Sequence, residues 1–302
     1  MAEKFSVIAL FSFITSPSGV SVILSIPTSV FRESTSSSLG NFSVLNPNPH
    51  AFINGDIVGS NAPDVATYNL PIYSEDGEKI KFNLWMMDSA WTDKELDRTF
   101  SIVKPEALEW YKKKSADLKE ANGGEPVPSL MFQHIPMIEE FELTEECSAD
   151  AKGAVKGPDG KYIKLKDSCK GVLGEYICAV DEKTGQMEAM KECGDIKGIV
   201  FGHDHCNCFE GVVDGINFIQ TACASFRCYG KRYRGVRIFD IDENGNYETK
   251  FYTYKDLMGN GILNELAFIW DADGFLKQKL ALIAGGVIGL GAIAAGIINL
   301  LK

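Results

Sequence analysis

The chain has 302 residues, 30 Lys+Arg against 41 Asp+Glu, and 45% hydrophobic residues. With 24% charged residues, the composition is globular and excludes a disordered, collagen-like or coiled-coil chain. The net charge of -11 excludes a general nucleic-acid binder, because a phosphate backbone demands an excess of cations; small anionic substrates stay open, since they respond to a local field or a metal.

In chain order, residues 1–50 carry no assignable domain. Phe5–Ile14 is apolar and follows Lys4, and Val20–Val30 is a second apolar stretch. Over 5–31 this fits a signal-like segment, the preferred reading, or strands and an arm of the domain. A Ser-rich run (Ser34–Ser38) and Asn46-Pro47-Asn48-Pro49 read as loop. The main domain is expected over 51–255.

Tyr68–Tyr73 and Ile80–Met87, joined by Ser74-Glu75-Asp76-Gly77, predict a hairpin with Ile80, Phe82, Leu84 and Met86 on one face. Pro105 suits a first helical turn, and Ala107, Leu108, Tyr111 and Leu118 follow at helical spacing. Asn122-Gly123-Gly124 should end that helix, since both residue types accept a left-handed cap. Ser129–Gln133 reads as a short strand ending on His134. The Gly-, Lys- and Asp-rich stretch 147–193 reads as an insertion of long loops. Ile196–Phe201 is a buried strand running into Gly202-His203-Asp204-His205, and Ile216–Thr221, Val236–Ile241 and Tyr247–Tyr252 follow as strands. The pattern predicts a mixed α/β layered domain.

All eight cysteines lie between Cys147 and Cys228. This fits disulfide-stapled loops in an oxidising compartment or a set of free thiols. Residues 256–279 read as a linker. Leu280–Leu301 is uncharged, flanked by Lys277, Lys279 and Lys302, and long enough to cross a hydrocarbon core of about 30 Å. Its glycines (Gly285, Gly286, Gly289, Gly291, Gly296) are common in membrane helices, and Gly285 with Gly289 makes a spacing suited to helix–helix self-association. The expectation is a single-pass C-terminal membrane anchor with an extracytoplasmic domain. A buried helix or a removable lipid-anchor tail are the alternatives.

Three of the four histidines fall at strand ends. His134 ends one strand, and His203 and His205 sit in the turn leaving another, where open α/β sheets place ligands. An H-x-H pair beyond a glycine presents imidazoles suited to Zn, Fe or Mn. A second reading of His203-Asp204-His205-Cys206-Asn207-Cys208 is a structural zinc site of mixed Cys and His ligands.

Gly202-His203-Asp204-His205-Cys206-Asn207 after a hydrophobic strand resembles the G-H-x-H motif of calcineurin-like metallophosphoesterases, and Phe132-Gln133-His134-Ile135-Pro136 resembles their preceding single-histidine motif. Tyr68–Tyr73, Asn83–Ser89, the Trp110-Tyr111 helix and Tyr229-Gly230 before Arg234–Arg237 extend the match towards the purple-acid-phosphatase-like branch, over roughly Tyr68–Tyr252. The resemblance implies a β-sandwich flanked by helices that hydrolyses a phosphoester, in a small molecule or a phosphoprotein, with two metal ions (Fe, Mn or Zn). It places His134 and His203 on one ion and His205 on the other, with Asp204 and Asn207 behind them. Asp56, in Asn54-Gly55-Asp56-Ile57, takes the bridging carboxylate. The chain departs from that pattern. D-x-H and N-H-[DE] do not occur in it, and His50 lies in another context, Pro49-His50-Ala51. The third motif carries the family's proton donor, so a general-acid contribution of about 10²–10⁴-fold lacks a source. The chain thus looks like the C-terminal part of such an enzyme with an incomplete fold and an exposed sheet edge. A catalytically inactive, membrane-tethered binding module and an unrelated disulfide-rich surface protein are the rival functions.

Overall fold

The computed structural model describes residues 67–74, 77–89, 102–242 and 244–286, together with the backbone of 4–12 and 21–25. Its strands are β1 (Lys4–Ser12), β2 (Ser21–Ser25), β3 (Tyr68–Tyr73), β4 (Ile80–Met86), β5 (Ser129–Gln133), β6 (Thr144–Cys147), β7 (Val155–Lys156), β8 (Tyr162–Leu165), β9 (Lys170–Val172), β10 (Ile196–Phe201), β11 (Cys208–Val213), β12 (Ile216–Gln220), β13 (Gly235–Asp242) and β14 (Tyr247–Thr253). The helices are α1 (Pro105–Ala121), α2 (Gln186–Cys193), α3 (Tyr254–Met258) and α4 (Ile262–Asp271), and Ile138–Leu143 forms a 3-10 helix.

A mixed sheet in the order β3-β4-β5-β10-β12-β11-β9 organises the molecule. Strands β4, β5, β10 and β12 run parallel, so their carboxyl ends open on one edge. Both faces of this sheet are covered, which is why its strands read as continuous apolar runs rather than alternating ones. Trp85, Met131, Ile199, Phe201 and Phe218 face the helical layer, where they pack with Tyr111 of α1 and Met187 and Met190 of α2. Leu84, Leu130, Phe132, Val200 and Ile219 face the other way and pack on Phe239 and Ile241 of β13. Strand β13 belongs to a second sheet, β14-β13-β1-β2. The fold is therefore mixed α/β, with helices, a large sheet and a smaller sheet in layers. A buried tie fastens the helical layer: Asp195, at the start of β10, accepts hydrogen bonds from Trp85 Nε1 (3.1 Å), Tyr111 Oη (2.5 Å) and Ser115 Oγ (3.1 Å).

Several elements follow the sequence closely. Helix α1 begins at Pro105 and ends against Asn122, and Gly123 beyond it adopts a left-handed φ of 74°. The hairpin forms as expected, but a β-bulge separates the Tyr73–Ile80 pair from the Ile72–Phe82 pair. The extra residue changes parity, so Ile80 packs on the helix-side core while Phe82, Leu84 and Met86 face the second sheet.

Other elements correct the sequence reading. The insertion 147–193 is not all loop: β6, β8 and β7 form a small sheet, β9 joins the edge of the large one, and α2 covers it. Each is too short to show a period. Within the segment read as signal-like, Lys4–Ser12 is a strand that pairs antiparallel with β13, and Ser21–Ser25 pairs with it in turn. Strand β13 is thereby paired on both sides, by β14 and β1. Ile262–Asp271, in the stretch read as a linker, is helix α4, whose Phe268 and Ile269 pack with Ala272 and Phe275. All eight cysteines carry free thiols, so the disulfide framework is not formed. They are dispersed over separate elements: Cys169 faces the Leu143 carbonyl, for example, and Cys208 faces Arg237. Residues 276–286 are helical; the rest of the foreseen span 280–301 lies outside the described residues, as do His50 and Asp56. Among the described residues no helix is long and apolar enough to cross a membrane.

Candidate metal centre

Strand order brings the histidines together. Strands β5 and β10 are parallel neighbours with Gln133 beside Phe201, so both chains leave the sheet at the same edge. The Gly202 amide donates to the His134 carbonyl at 3.2 Å, extending the pairing into the two turns. His134 Nε2 and His203 Nδ1 come to 3.3 Å, with the rings edge to face at 85°. His203 has a left-handed φ of 65°, a conformation uncommon outside glycine that Asn, Asp and His adopt more readily than other residues. That turn is held from beneath, where Gln220 of β12 donates its amide to the Gly202 carbonyl. A further tie comes from Ser89, whose hydroxyl accepts from the His134 and Ile135 amides at 3.2 and 2.9 Å.

Burial keeps these imidazoles neutral. It lowers His134 to about 3, helped by the nearby His203 and His205, and lowers His203 to about 4, helped by His205. Neutral imidazole is the form that ligates metals. His205 Nδ1 lies 2.9 Å from the Tyr229 carbonyl and its ring stacks on Tyr229 at 4.2 Å. A carbonyl only accepts, so the ring proton belongs on Nδ1 and a lone pair remains on Nε2.

The two residues placed behind the ligands act as struts. Asp204 is buried and accepts from the Cys178 amide (3.2 Å) and from Asn207 Nδ2 (3.0 Å). Burial pushes its carboxyl up to about 7 against those hydrogen bonds. Asn207 Oδ1 accepts from the Gly174 and Glu175 amides at 2.8 and 3.0 Å. Together they stitch the histidine turn to residues 174–178 within the insertion, a connection that the sequence does not announce.

The cysteines differ most from expectation. Neither Cys206 nor Cys208 joins His205. Its thiol neighbours are Cys223 and Cys228, with ligand atoms all within 4.8 Å of one another; Cys178, His203 and Asp204 form a second such group. Strand β12 is parallel to β10, and beyond its end the Cys223 amide donates to the His205 carbonyl at 3.3 Å. Long-range strand order therefore selects Cys223 over the locally adjacent Cys206. The only sequence signal was the clustering of cysteines after the H-x-H turn. Cys228 is lowered to about 4 by a hydrogen bond from Cys223, with His205 and Arg234 adding to it, while Cys223 is raised. The two thiols thus bias each other, with Cys228 the one driven towards thiolate. Cys178 is instead pushed up to about 12 by burial and the carboxylates of Asp204 and Glu175.

No protein-family model matches the chain. Among curated proteins of Arabidopsis thaliana, it is 26% identical over 203 residues to "Probable inactive purple acid phosphatase 29", covering 63% of this chain and 47% of that protein. It is 28% identical over 177 residues to "Probable inactive purple acid phosphatase 14" (54% and 39%) and 24% identical over 182 residues to "Probable inactive purple acid phosphatase 28" (57% and 40%). The chain thus spans less than half the length of these relatives. With its histidine turns at the ends of adjacent parallel strands, the chain resembles the purple-acid-phosphatase-like proteins of the calcineurin-like metallophosphoesterase group.

Proposed function

We propose that this chain is a metal-dependent phosphoesterase-like domain, with His134 and His203 holding one ion, His205 the other, and Asp56 between them. The supporting observation is the 3.3 Å separation of His134 Nε2 and His203 Nδ1. Two nitrogens each about 2.0–2.1 Å from one tetrahedral ion lie about 3.3 Å apart, so the spacing suits a shared cation. Burial of both rings supplies neutral donors, and imidazole with carboxylate suits Fe, Mn or Zn. When bound, such ions polarise a phosphoryl oxygen and acidify a coordinated water. The chain's own contribution is positional: Gln220, Asn207 and Asp204 fix the turn that aims His203 and His205. The substrate class is a phosphoester, in a small molecule or a phosphoprotein.

The domain is assigned to 51–255 and a membrane anchor to 280–301, with the domain on the extracytoplasmic side and self-association through Gly285 and Gly289. The anchor is supported by the uncharged sequence and by the exposed Leu276, Leu280, Leu282 and Ile283 at its near end.

A specific observation favours a second reading. D-x-H and N-H-[DE] do not occur in the sequence, and the relatives carry "probable inactive" in their names. On this reading the domain keeps an ion-bearing turn that binds a phosphate ester without cleaving it. Metal analysis of the full chain in detergent, with hydrolysis of an aryl phosphate, decides between them. The hydrolase predicts two ions per chain, loss of one in His203→Ala, and metal-stimulated turnover. Bound ions with phosphate affinity but no turnover establish the binding module instead. Less than one ion per chain removes both.

A further inference from the structure

His205, Cys223 and Cys228 place an imidazole nitrogen and two sulfurs within 4.8 Å of one another. We propose that these three side chains hold a thiophilic divalent cation, Zn²⁺ above all, in a Cys₂His site. The inference deepens the reading above, because it gives the ion at His205 its protein ligands, and it rests on His205 facing an ion.

Donor chemistry selects the metal. Two sulfurs with one imidazole suit Zn²⁺ and disfavour Mg²⁺ or Ca²⁺, which take oxygen. With Zn–S about 2.3 Å and Zn–N about 2.0–2.1 Å, tetrahedral donors sit about 3.3–3.8 Å apart, so each observed separation is within about 1.5 Å of the bound geometry. His205 and Cys223 are buried and Cys228 is half-buried, which limits competition from water.

The surroundings are built for sulfur. Arg234 is 1% exposed, and its Nη1 donates to Cys223 Sγ at 3.1 Å and Cys228 Sγ at 3.6 Å. Backbone carbonyls of Ser225 (2.5 Å), Cys228 (2.8 Å) and Asp273 (3.1 Å) hold the guanidinium in place. Two thiolates neutralise a divalent ion, so the guanidinium meets a neutral centre and donates N–H···S bonds to it from outside. Gly230 permits this approach: a Cβ there would lie 2.8 Å from Cys223 Sγ and 2.9 Å from the Arg234 guanidinium carbon. Both sulfurs ligate as thiolates, so loading releases any thiol proton to solvent as the sulfur–metal bonds form. Three protein donors leave a fourth position open, as at ions that meet a substrate.

The full chain, reduced and stripped of metal, is titrated with Co²⁺ and then Zn²⁺. The expected result is a sulfur-to-cobalt charge-transfer band saturating near one equivalent and bleached by Zn²⁺. The band should vanish in Cys223→Ser and Cys228→Ser and persist in Cys147→Ser and His134→Ala. X-ray absorption on His134→Ala loaded with one equivalent of Zn²⁺ counts the sulfurs without altering the site itself, and should find two. Oxygen- and nitrogen-only ligation, a band that survives both serine variants, or a Cys223–Cys228 disulfide that persists under reduction overturns the proposal. If His134→Ala binds as much metal as the parent while sulfur ligation is present, the two-ion reading fails and this inference stands. Metal lost with His134 but never bound through sulfur gives the converse.

Discussion

Glu140 sits in the 3-10 helix, fully buried, with neither carboxylate oxygen hydrogen-bonded among the described residues. An ionised carboxylate there is heavily penalised, so desolvation, with the nearby Asp204 adding to it, raises its pKa well above the ordinary carboxyl value. A group whose folded pKa is raised favours the folded state fully below its unfolded pKa, and that contribution is lost as pH rises through the folded value. Glu140→Met removes the liability while keeping the volume. Its thermal and urea unfolding should show a gain of about 1–3 kcal/mol at neutral pH, shrinking towards acid pH where the parent's carboxyl is already protonated. A variant less stable than the parent at every pH would mean that Glu140 has a stabilising partner. His134 and His203 behave oppositely: burial keeps them neutral, and their protonation in acid opposes both folding and any bound cation.

The histidine turn and residues 174–178 of the insertion behave as one element because Asn207 joins them, accepting from Gly174 and Glu175 and donating to Asp204. Asn207→Ala leaves two amides and a carboxylate without these partners. It should raise hydrogen exchange across 171–180, speed proteolysis within 147–193, and weaken metal binding by about 10–100-fold, the usual consequence of losing support behind a ligand. Unchanged exchange there would show that the loop is held by other contacts. What the sequence disclosed follows the same physics. β5, β10 and the two histidine turns were legible because strands buried on both faces are continuous apolar runs, and their ends mark a parallel sheet's open edge. α1 was legible from its proline start and its Asn-Gly stop. β7 and α2 were not, since two and eight residues carry no usable period. Ile80 was assigned the wrong face because a bulge leaves no mark in an alternating pattern. Cys223 and Cys228 were counted but not paired with His205, because β12 lying beside β10 is a property of strand order rather than local spacing.

At the scale of the whole molecule, net charge and apolar surface bear on attachment in opposite ways. The chain carries -11 overall, so an anionic bilayer surface repels it, and the proposed anchor would have to hold by hydrophobic burial. Among the described residues, exposed apolar side chains are densest towards the C-terminus, at Ile262, Leu263 and Trp270 of α4, then Leu276, Leu280, Leu282 and Ile283. Trp270 lies just before Lys277 and Lys279, the order of an aromatic and basic girdle at a membrane interface. α4 is also tied to the sulfur cluster, through Asp273, whose carbonyl accepts from Arg234 and whose amide donates to Phe226. An anchor at 280–301 would therefore hold the metal edge of the sheet close to the lipid surface. The full chain should stay with membranes through both high salt, which screens surface charge, and alkaline wash, which strips peripheral proteins. Deleting 280–302 should release it, and the soluble product should keep its metal, since no ligand lies in the deleted segment. Release of the full chain by salt alone would assign attachment to a charged partner, and retention of the deletion variant would move it to the exposed face of α4.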